Sequence, residues 1–164
     1  MRSRTRGGDM SRRMWVLTAA ALVPVVAVGC ASMRKMKPEE AIEARQKLMK
    51  EQGEAWKQIQ EKTKAGDVAA VVPEAEKLVQ TSKEIPRLFP EGSLDPKKSA
   101  AKPEIWAKWS DFESAAKNLQ TQSEKLRDTA KTGNAAATQQ VVQTFGRQAC
   151  GTCHTPFRVP PKQS

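Results

Sequence analysis

The sequence predicts an all-α fold, a bundle of four helices, from its composition and from the spacing of its apolar residues. Aromatic residues make up only 5% of the 164 residues and Tyr is absent, whereas Ala, Lys, Glu and Gln, which favour helices over strands, are abundant. Apolar side chains recur at alternating spacings of three and four residues, as on the packed face of an amphipathic helix. Pro and Gly separate four such stretches, which predicts a bundle.

Residues 1–29 have the pattern of a secretory signal peptide. Two arginines precede an uncharged apolar run at 14–28, after which the chain becomes strongly polar. This run is shorter than the roughly 20 residues of a membrane span, so we favour export over spanning.

Met10 offers an alternative start of the chain. The residues at 27–30, Ala-Val-Gly-Cys, resemble a bacterial lipobox and predict a lipid on Cys30; the alternative is an incidental cysteine in an ordinary signal peptide.

Two helices are predicted in the first half of the remaining chain. Pro38, followed by two acidic residues, suits a helix N-terminus, and Gly66 suits its end. Asp67 is the expected cap of the second helix, which has Pro73 in its early turns and ends before Pro86. The packed face of the first helix is predicted to comprise Ile42, Arg45, Met49, Gln52, Trp56 and Ile59.

Two further helices follow a long connection. Residues 88–102 contain Pro, Gly and charges without an apolar period, so we expect a crossover loop. A third helix is predicted from Pro103 to about Lys131, and a fourth from Gly133-Asn134 onwards, with prolines 156, 160 and 161 closing the chain. The resulting segments are a signal peptide (1–29), a short N-terminal tether (30–37), a four-helix domain (38–158) and a C-terminal tail (159–164).

The charge of the chain narrows the classes of partner. The formal net charge is +10, and because residues 1–29 contain five Arg and one Asp, +6 remains for residues 30–164. This excess suits an acidic redox partner or an anionic membrane surface. Basic residues do not cluster with interleaved aromatic residues, so no nucleic-acid path is predicted. The sequence shows no Ser/His/Asp arrangement and no carboxylate pair typical of a catalytic site, so we predict that the chain is not an enzyme.

Residues 150–154 read Cys-Gly-Thr-Cys-His, the CxxCH attachment motif of c-type haem. On helical backbone, thiols three residues apart lie on nearly one face, and the adjacent imidazole is held under the iron. The motif predicts one haem c, attached covalently through Cys150 and Cys153, with His154, the only His of the chain, as proximal iron ligand. The alternatives are a thioredoxin-type dithiol, which expects a βαβ context, and a zinc site, which needs four ligands.

A helical bundle with CxxCH near its C-terminus, followed by Arg158, resembles the cytochrome c′ family, the class II c-type cytochromes. The resemblance includes RQKLMK at 45–50, IPRLFP at 85–90 and PEIW at 103–106. It implies an antiparallel bundle that holds the haem between helices, with the proximal side facing the fourth helix and the distal side facing the first.

The resemblance also implies roles for residues of the first helix. In the family, the residue four positions after the first-helix Arg faces the distal side of the iron, and here it is Met49. Low-spin members use Met as a ligand, and we favour this for Met49, although some high-spin members carry an unbound Met there. Arg45, Gln46 and Arg158 are expected to contact the haem propionates; solvated side chains are the alternative. Gly53 lies one turn beyond Met49 and would leave room for the macrocycle.

The leading functional hypothesis is periplasmic electron transfer through a low-spin haem with Met and His ligands, because these ligands keep one coordination geometry in both redox states. The alternative is a five-coordinate haem that binds nitric oxide or carbon monoxide as a sensor or scavenger. A third hypothesis is a haem-free envelope lipoprotein with a dithiol. The expected partners are a redox protein of unknown identity, a membrane reached through a lipid on Cys30, and a second copy of the chain in a homodimer.

Overall fold

The first helix, α1, spans Pro38–Lys64 and has the predicted ends. The structure is a computed structural model, and it describes residues 36–161. At the N-terminus, the carboxylate of Glu40 accepts a hydrogen bond from the backbone N–H of Lys37 at 3.2 Å, which satisfies a donor that the helix leaves free. At the other end, Gly66 has a φ of +76°, which suits a residue without a Cβ.

The second helix, α2, spans Val71–Glu84 and begins later than predicted. Asp67 accepts a hydrogen bond from the backbone N–H of Ala70 at 3.1 Å, so its side chain stabilises the turn that precedes the helix. Pro73 lies in the first turn, where a missing N–H costs no helical hydrogen bond. The helix ends at the predicted place, and a 3₁₀ turn follows at Pro86–Leu88.

The predicted third helix is interrupted, which corrects the expectation of one continuous helix from residue 103. A short helix, α3, spans Glu104–Ala107, and the long helix α4 spans Trp109–Lys131. Between them Lys108 adopts a non-helical φ of −126° and ψ of 52°. The indole N–H of Trp106 contacts the backbone oxygens of Phe89 and Pro90, each at 3.1 Å. These contacts with the crossover loop anchor α3 and override the local preference for one helix.

The last helical region has three parts. Helix α5 spans Ala135–Phe145, a π-helical segment spans Gly146–Gly151, and helix α6 spans Thr152–Phe157. The side chain of Asn134 caps α5 by accepting from the N–H of Ala137 at 2.9 Å. Pro156 lies inside α6, and the helix ends at Phe157, before the prolines at 160 and 161.

Helices α1 and α2 pack antiparallel. Near the turn that joins them, Lys62 forms an ion pair with Glu74 at 2.9 Å. Further away, Gln52 donates to Thr81 at 3.0 Å. Residue numbers therefore decrease along α1 while the numbers of their contacts in α2 increase, as in an antiparallel pair.

Helix α4 is antiparallel to α2. Arg127, near the end of α4, contacts Glu76, near the start of α2, at 2.9 Å. Phe112, near the start of α4, packs on Phe89 beyond the end of α2, with ring centroids 4.8 Å apart. The short connection at 132–134 then returns α5 beside α4, which completes the predicted antiparallel four-helix bundle within the described residues.

The core of the bundle draws on all the long helices and is dominated by aliphatic side chains. Ile59 of α1, Leu78 of α2 and Leu126 of α4 are each at most 2% exposed. Phe145 of α5 stacks on Trp56 of α1 with centroids 4.9 Å apart. Burial of these apolar side chains is the main contribution that holds the helices together.

The predictions for residues 1–35 lie outside the residues that the structure describes. They concern the signal peptide, the alternative start at Met10, most of the tether and the lipid on Cys30. Within residues 36–161, no helix has the length and apolar character needed to cross a membrane.

Candidate functional site

A cavity of about 280 Å³ lies between α1, the crossover loop and the C-terminal helix α6. Its volume is just below the roughly 300–1,000 Å³ that is usual for ligand pockets. The crossover loop contributes small residues at 99–101, and α3, α4 and α6 contribute apolar side chains. The lining residues are Arg45, Gln46, Met49, Phe89, Ser99, Ala100, Ala101, Ile105, Phe112, Cys153, His154, Phe157 and Arg158.

The cavity brings together most of the residues that the sequence singles out. Met49, Arg45 and Gln46 reach it from α1, while His154 and Arg158 reach it from α6 and the residue after it. These two sets are about a hundred residues apart in the chain, and the antiparallel packing of α1 on the last helical region makes them neighbours. Met49 is half-buried, so its thioether has both protein contacts and access to the cavity.

The two cysteines lie on either side of the boundary between the π-helical segment and α6. Cys153 lines the cavity, whereas Cys150 is half-buried and packs against the core without lining the cavity. Burial raises the pKa of the Cys150 thiol. Burial and the charge of Cys150 raise the pKa of Cys153 to about 11. Both thiols are therefore protonated near neutral pH.

His154 lies at the rim of the cavity with Arg158. The residue is exposed, yet the surrounding protein removes enough water from the imidazole to lower its pKa, and the charge of Arg158 lowers it further. A lowered pKa favours the neutral imidazole near pH 7. The neutral form has a free lone pair on one ring nitrogen, which a metal ion requires.

Arg45 is the most buried charged residue of the site, with only 3% of its surface exposed. Its guanidinium donates to the backbone oxygen of Ser93 at 2.7 Å, to the hydroxyl of Ser93 at 3.0 Å and to the hydroxyl of Ser99 at 2.9 Å. It also lies over the ring of Phe89, 4.7 Å from the centroid. All these acceptors are neutral, and burial lowers the pKa of Arg45.

Gln46 holds the crossover loop from the neighbouring position of α1. Its side-chain amide donates to the backbone oxygen of Lys98 at 2.5 Å. The same loop is held at its end, where the N–H of Lys102 donates to the oxygen of Phe157 at 3.0 Å and the N–H of Val159 donates to the oxygen of Ala100 at 2.8 Å. The loop is thus tied both to α1 and to the end of the bundle, and it closes one side of the cavity.

The structure does not place Gly53 at the cavity. Gly53 is exposed, and a Cβ added there would meet nothing within 4 Å. The aromatic lining from the loop, α4 and α6 was not predicted from the sequence, because its only signal, apolar character, is shared with the core. That lining consists of Phe89, Phe112 and Phe157.

The alternatives for the CxxCH motif gain no support from the site. A redox-active dithiol needs a thiol with a lowered pKa, whereas the pKa values of Cys150 and Cys153 are raised. For a zinc ion, no group of three or more His, Cys, Asp or Glu side chains converges within residues 36–161. The arrangement of the Cys153 thiol, an imidazole and a thioether around one cavity, with Cys150 three residues earlier in the chain, suits haem better.

Comparison with known families identifies the chain. The model of the family described as cytochrome c′ matches residues 40–158, which include every helix of the bundle except the first two residues of α1. The chain belongs to the cytochrome c′ family. Its cofactor is one covalently attached haem c, as the CxxCH motif predicts.

Curated relatives extend over most of the chain. Cytochrome c-556 of Agrobacterium fabrum is 30% identical over 153 residues, which cover 92% of this chain and 99% of the relative. Cytochrome c-556 of Rhodopseudomonas palustris is 32% identical over 134 residues, which cover 75% of this chain and 85% of the relative. The resemblance therefore concerns whole proteins and not an isolated motif.

Solved structures share the fold. Cytochrome c′ of Thermochromatium tepidum superposes with a TM-score of 0.69 at 25% identity, covering 77% of this chain and 99% of that one. Another cytochrome c′, described as having a ligand-controlled dimer dissociation, also superposes with a TM-score of 0.69 at 25% identity, covering 76% of this chain and 98% of its own. The four-helix bundle is thus the family fold.

The residues present fit a haem group. Arg45 is buried, and its hydrogen bonds are to neutral oxygens of Ser93, Ser99 and Leu88. A buried cation is costly without an anion nearby, and its lowered pKa reflects that cost. A haem propionate would supply the missing negative charge. The same cavity offers thiol, imidazole and thioether groups, which are the usual attachment and ligand groups of c-type haem.

Proposed function

We propose that this cytochrome is a periplasmic electron carrier, and not an enzyme, whose haem iron is held by His154 and Met49. One observation carries the proposal: Met49 of α1 and His154 of α6 line the same cavity. A thioether and an imidazole are the axial pair of many electron-carrying c-type cytochromes. The relatives named above are bacterial, and the sequence pattern of residues 1–29 favours export.

Cys150 and Cys153 are proposed to form the covalent attachment. In each thioether, the sulfur of the cysteine bonds to one carbon of a vinyl group and the thiol proton goes to the other carbon. The C=C double bond becomes a single bond, so atoms and electrons balance without an added oxidant or reductant. The motif supports this assignment because the cysteine spacing and the adjacent His154 match the attachment sequence of c-type haem.

Met49 and His154 are proposed to keep the same coordination in both redox states. Unchanged ligands limit the rearrangement that accompanies electron transfer, and a thioether ligand raises the reduction potential. Ile105 and Phe112 give the cavity an apolar wall. Such a wall excludes water from the iron and favours the less charged, reduced state.

Arg45, Gln46 and Arg158 are proposed to face the haem propionates. Arg45 is the best supported of the three, because its buried guanidinium lacks an acidic partner in the contacts described above. Gln46 already donates one hydrogen bond to Lys98, and its amide has a second N–H to offer. Arg158 lies at the cavity rim, where a guanidinium pairs with a carboxylate in partial contact with water.

The proposed partner is an acidic redox protein that binds weakly and transiently, as suits the excess of positive charge over residues 30–164. A homodimer is also proposed, because a family member with 25% identity is described as a dimer that dissociates under ligand control. A lipid on Cys30 stays a prediction from the sequence, since that residue lies outside the described residues.

The experiment is the visible spectrum of the purified holoprotein, oxidised and reduced, with and without carbon monoxide, for the unmutated chain, Met49→Leu and Met36→Leu. Met36 packs against the core outside the cavity, so it is the matched methionine control. In the unmutated protein and in Met36→Leu, we expect low-spin bands that carbon monoxide does not change. We expect high-spin bands that respond to carbon monoxide in Met49→Leu.

Three other results would contradict this proposal in different ways. High-spin bands that shift with carbon monoxide in the unmutated protein would exclude Met49 as a ligand and favour the gas-binding alternative. Loss of the haem into the organic phase during acid–acetone extraction would exclude covalent attachment by Cys150 and Cys153. A spectrum of Met49→Leu identical to that of the unmutated protein would assign the sixth ligand to another residue.

A further inference from the structure

The attachment segment is held from outside by one side chain of α4. The side-chain amide nitrogen of Asn118 donates to the backbone oxygen of Gln148 at 2.6 Å and to the hydroxyl of Thr152 at 3.1 Å. Gln148 lies two residues before Cys150, and Thr152 lies between the two cysteines. Asn118 therefore spans the first cysteine of the motif.

The segment that Asn118 holds is a π-helix, Gly146–Gly151. This conformation has one more residue in each hydrogen-bonded turn than an α-helix, is rare, and is frequently found at functional sites. Left to local preferences, the chain favours the α-helical turn, and a change from π to α would rotate Cys150 about the helix axis relative to His154. Contacts from outside the helix are therefore needed to maintain the wide turn.

The hydrogen bonds of Asn118 suit that task. The amide nitrogen has two N–H donors, which matches its two acceptors. The Thr152 hydroxyl in turn donates to the backbone oxygen of Ala149 at 2.9 Å. Gly146 begins the segment, and a Cβ added there would be 3.8 Å from the ring of Trp56. The side-chain hydrogen bonds that α4 donates to the attachment segment come from Asn118.

We propose that Asn118 is a positioning residue for the proximal ligand: by fixing the π-helical turn, it sets the direction from which His154 meets the iron. This inference rests on the proposed function, in which His154 is the proximal ligand. The two thioether bonds fix where the haem is attached to the chain. The turn between Gln148 and Thr152 then fixes the orientation of the backbone that carries the imidazole. Asn118 acts through that backbone, because its hydrogen bonds are to Gln148 and Thr152 and not to either cysteine or to His154.

The test compares four holoproteins with the unmutated one. Asn118→Leu keeps the approximate volume and removes both donors, and Asn118→Asp replaces the donors with acceptors. Thr152→Val removes one of the two partners. Gln120→Leu is the matched control, because Gln120 is also an amide on α4 but donates within the helix, to Glu124 at 2.7 Å.

Two readouts are recorded for each holoprotein: amide hydrogen exchange over residues 146–151 and the electron paramagnetic resonance spectrum of the ferric haem. Loss of two hydrogen bonds should increase local opening, and hence exchange, about tenfold in Asn118→Leu. The resonance spectrum should also shift, since it reports the field of the proximal imidazole. Thr152→Val should show a smaller change of the same kind, Gln120→Leu none, and covalent haem content should be unchanged throughout.

The inference is overturned if Asn118→Leu and Asn118→Asp have the exchange rates and resonance spectrum of the unmutated protein. It is also overturned if exchange increases while the spectrum does not change, because Asn118 would then stabilise the turn without directing the ligand. Equal changes in Gln120→Leu would likewise contradict it. Absence of covalent haem from the unmutated protein would instead refute the proposed function, so the two failures are distinguishable.

Discussion

Arg45 donates a hydrogen bond to the backbone oxygen of Ser93 at 2.7 Å, across 48 residues of sequence. The bond fastens the crossover loop to α1 at the edge of the cavity. Ser93 itself is fully buried, so its oxygen depends on this partner and not on water. One arginine therefore shapes the loop and faces the proposed propionate site, and its two roles are separable by substitution.

Arg45→Leu should destabilise the holoprotein by about 2–3 kcal/mol, because hydrogen bonds to a charged group are lost and buried acceptors are left without a donor. Arg45→Lys keeps the charge but not the planar fork, so we expect about half of that loss. The measurement is urea denaturation followed by circular dichroism. Lys47→Leu, an exposed position on the same helix, should change stability by less than about 0.5 kcal/mol. Equal losses at 45 and 47 would contradict the assigned role.

Glu74 should make the stability of the bundle depend on pH. A hydrogen bond from Lys62, followed by the interactions with Lys77, lowers the pKa of Glu74 in the folded protein. A lowered folded pKa stabilises the protein above the unfolded pKa of about 4.3, and the contribution disappears as the pH falls through the folded value. Glu74→Gln should therefore lower the free energy of unfolding by roughly 1 kcal/mol at pH 7, and should not change it at a pH below the pKa of Glu74 in the folded protein.

The control for this pH dependence is Glu61→Gln. Glu61 is 57% exposed and lies 4.0 Å from Lys57, so its ion pair is screened by water and contributes less than about 0.5 kcal/mol. Urea denaturation of both variants between pH 3 and pH 7, a range set by the carboxylate pKa, gives the comparison. A stability difference for Glu74→Gln that stays constant across this range would show that the side chain acts through packing and not through charge.

Much of the fold could be predicted because its determinants are local. The ends of α1 follow from Pro38 and Gly66, and the apolar period of α4 follows from residues spaced by one turn. The breaks could not be predicted in this way. The interruption at Lys108 depends on the contact of Trp106 with the crossover loop, and the π-helix depends on Asn118, whose partners are 30 and 34 residues away.

The site also combines residues with local sequence signals and residues without them. Cys150, Cys153 and His154 form a contiguous motif, so their chemistry could be predicted from the sequence without knowledge of the fold. Met49 was singled out by its place on α1 and by a family resemblance, and the structure brings it to the cavity of His154. The serines that bind Arg45 had no signal, because they lie in an aperiodic loop 48 and 54 residues away.

A pair of leucines tests whether burial determines how much stability is lost when a leucine is replaced by alanine. Leu126 is fully buried, whereas Leu94 is 40% exposed. Leu126→Ala should cost about 2–5 kcal/mol, because it removes buried apolar contacts and leaves a cavity. Leu94→Ala should cost less than about 1 kcal/mol, since the side chain already contacts water. Denaturation of both holoproteins measures the difference, and similar costs would mean that the core is not packed as described.

Two glycines should respond to alanine with opposite signs. Gly53 lies inside α1 with nothing within 4 Å of an added Cβ, so Gly53→Ala should stabilise the bundle by about 0.5–1 kcal/mol through helix propensity. Gly66 has a φ of +76°, where a Cβ is strained, so Gly66→Ala should cost about 1 kcal/mol. Thermal unfolding of the two holoproteins measures both effects.

The same pair tests whether Gly53 makes room for the macrocycle. Because Gly53 is exposed and lies outside the cavity, Gly53→Ala should leave the visible spectrum and the covalent haem content unchanged. Gly66→Ala, beyond the end of α1 and far from Met49, should do the same despite its lower stability. Loss of haem or a changed spectrum in Gly53→Ala, but not in Gly66→Ala, would mean that the macrocycle needs the space next to Gly53. The haem site would then extend one turn further along α1 than the cavity does.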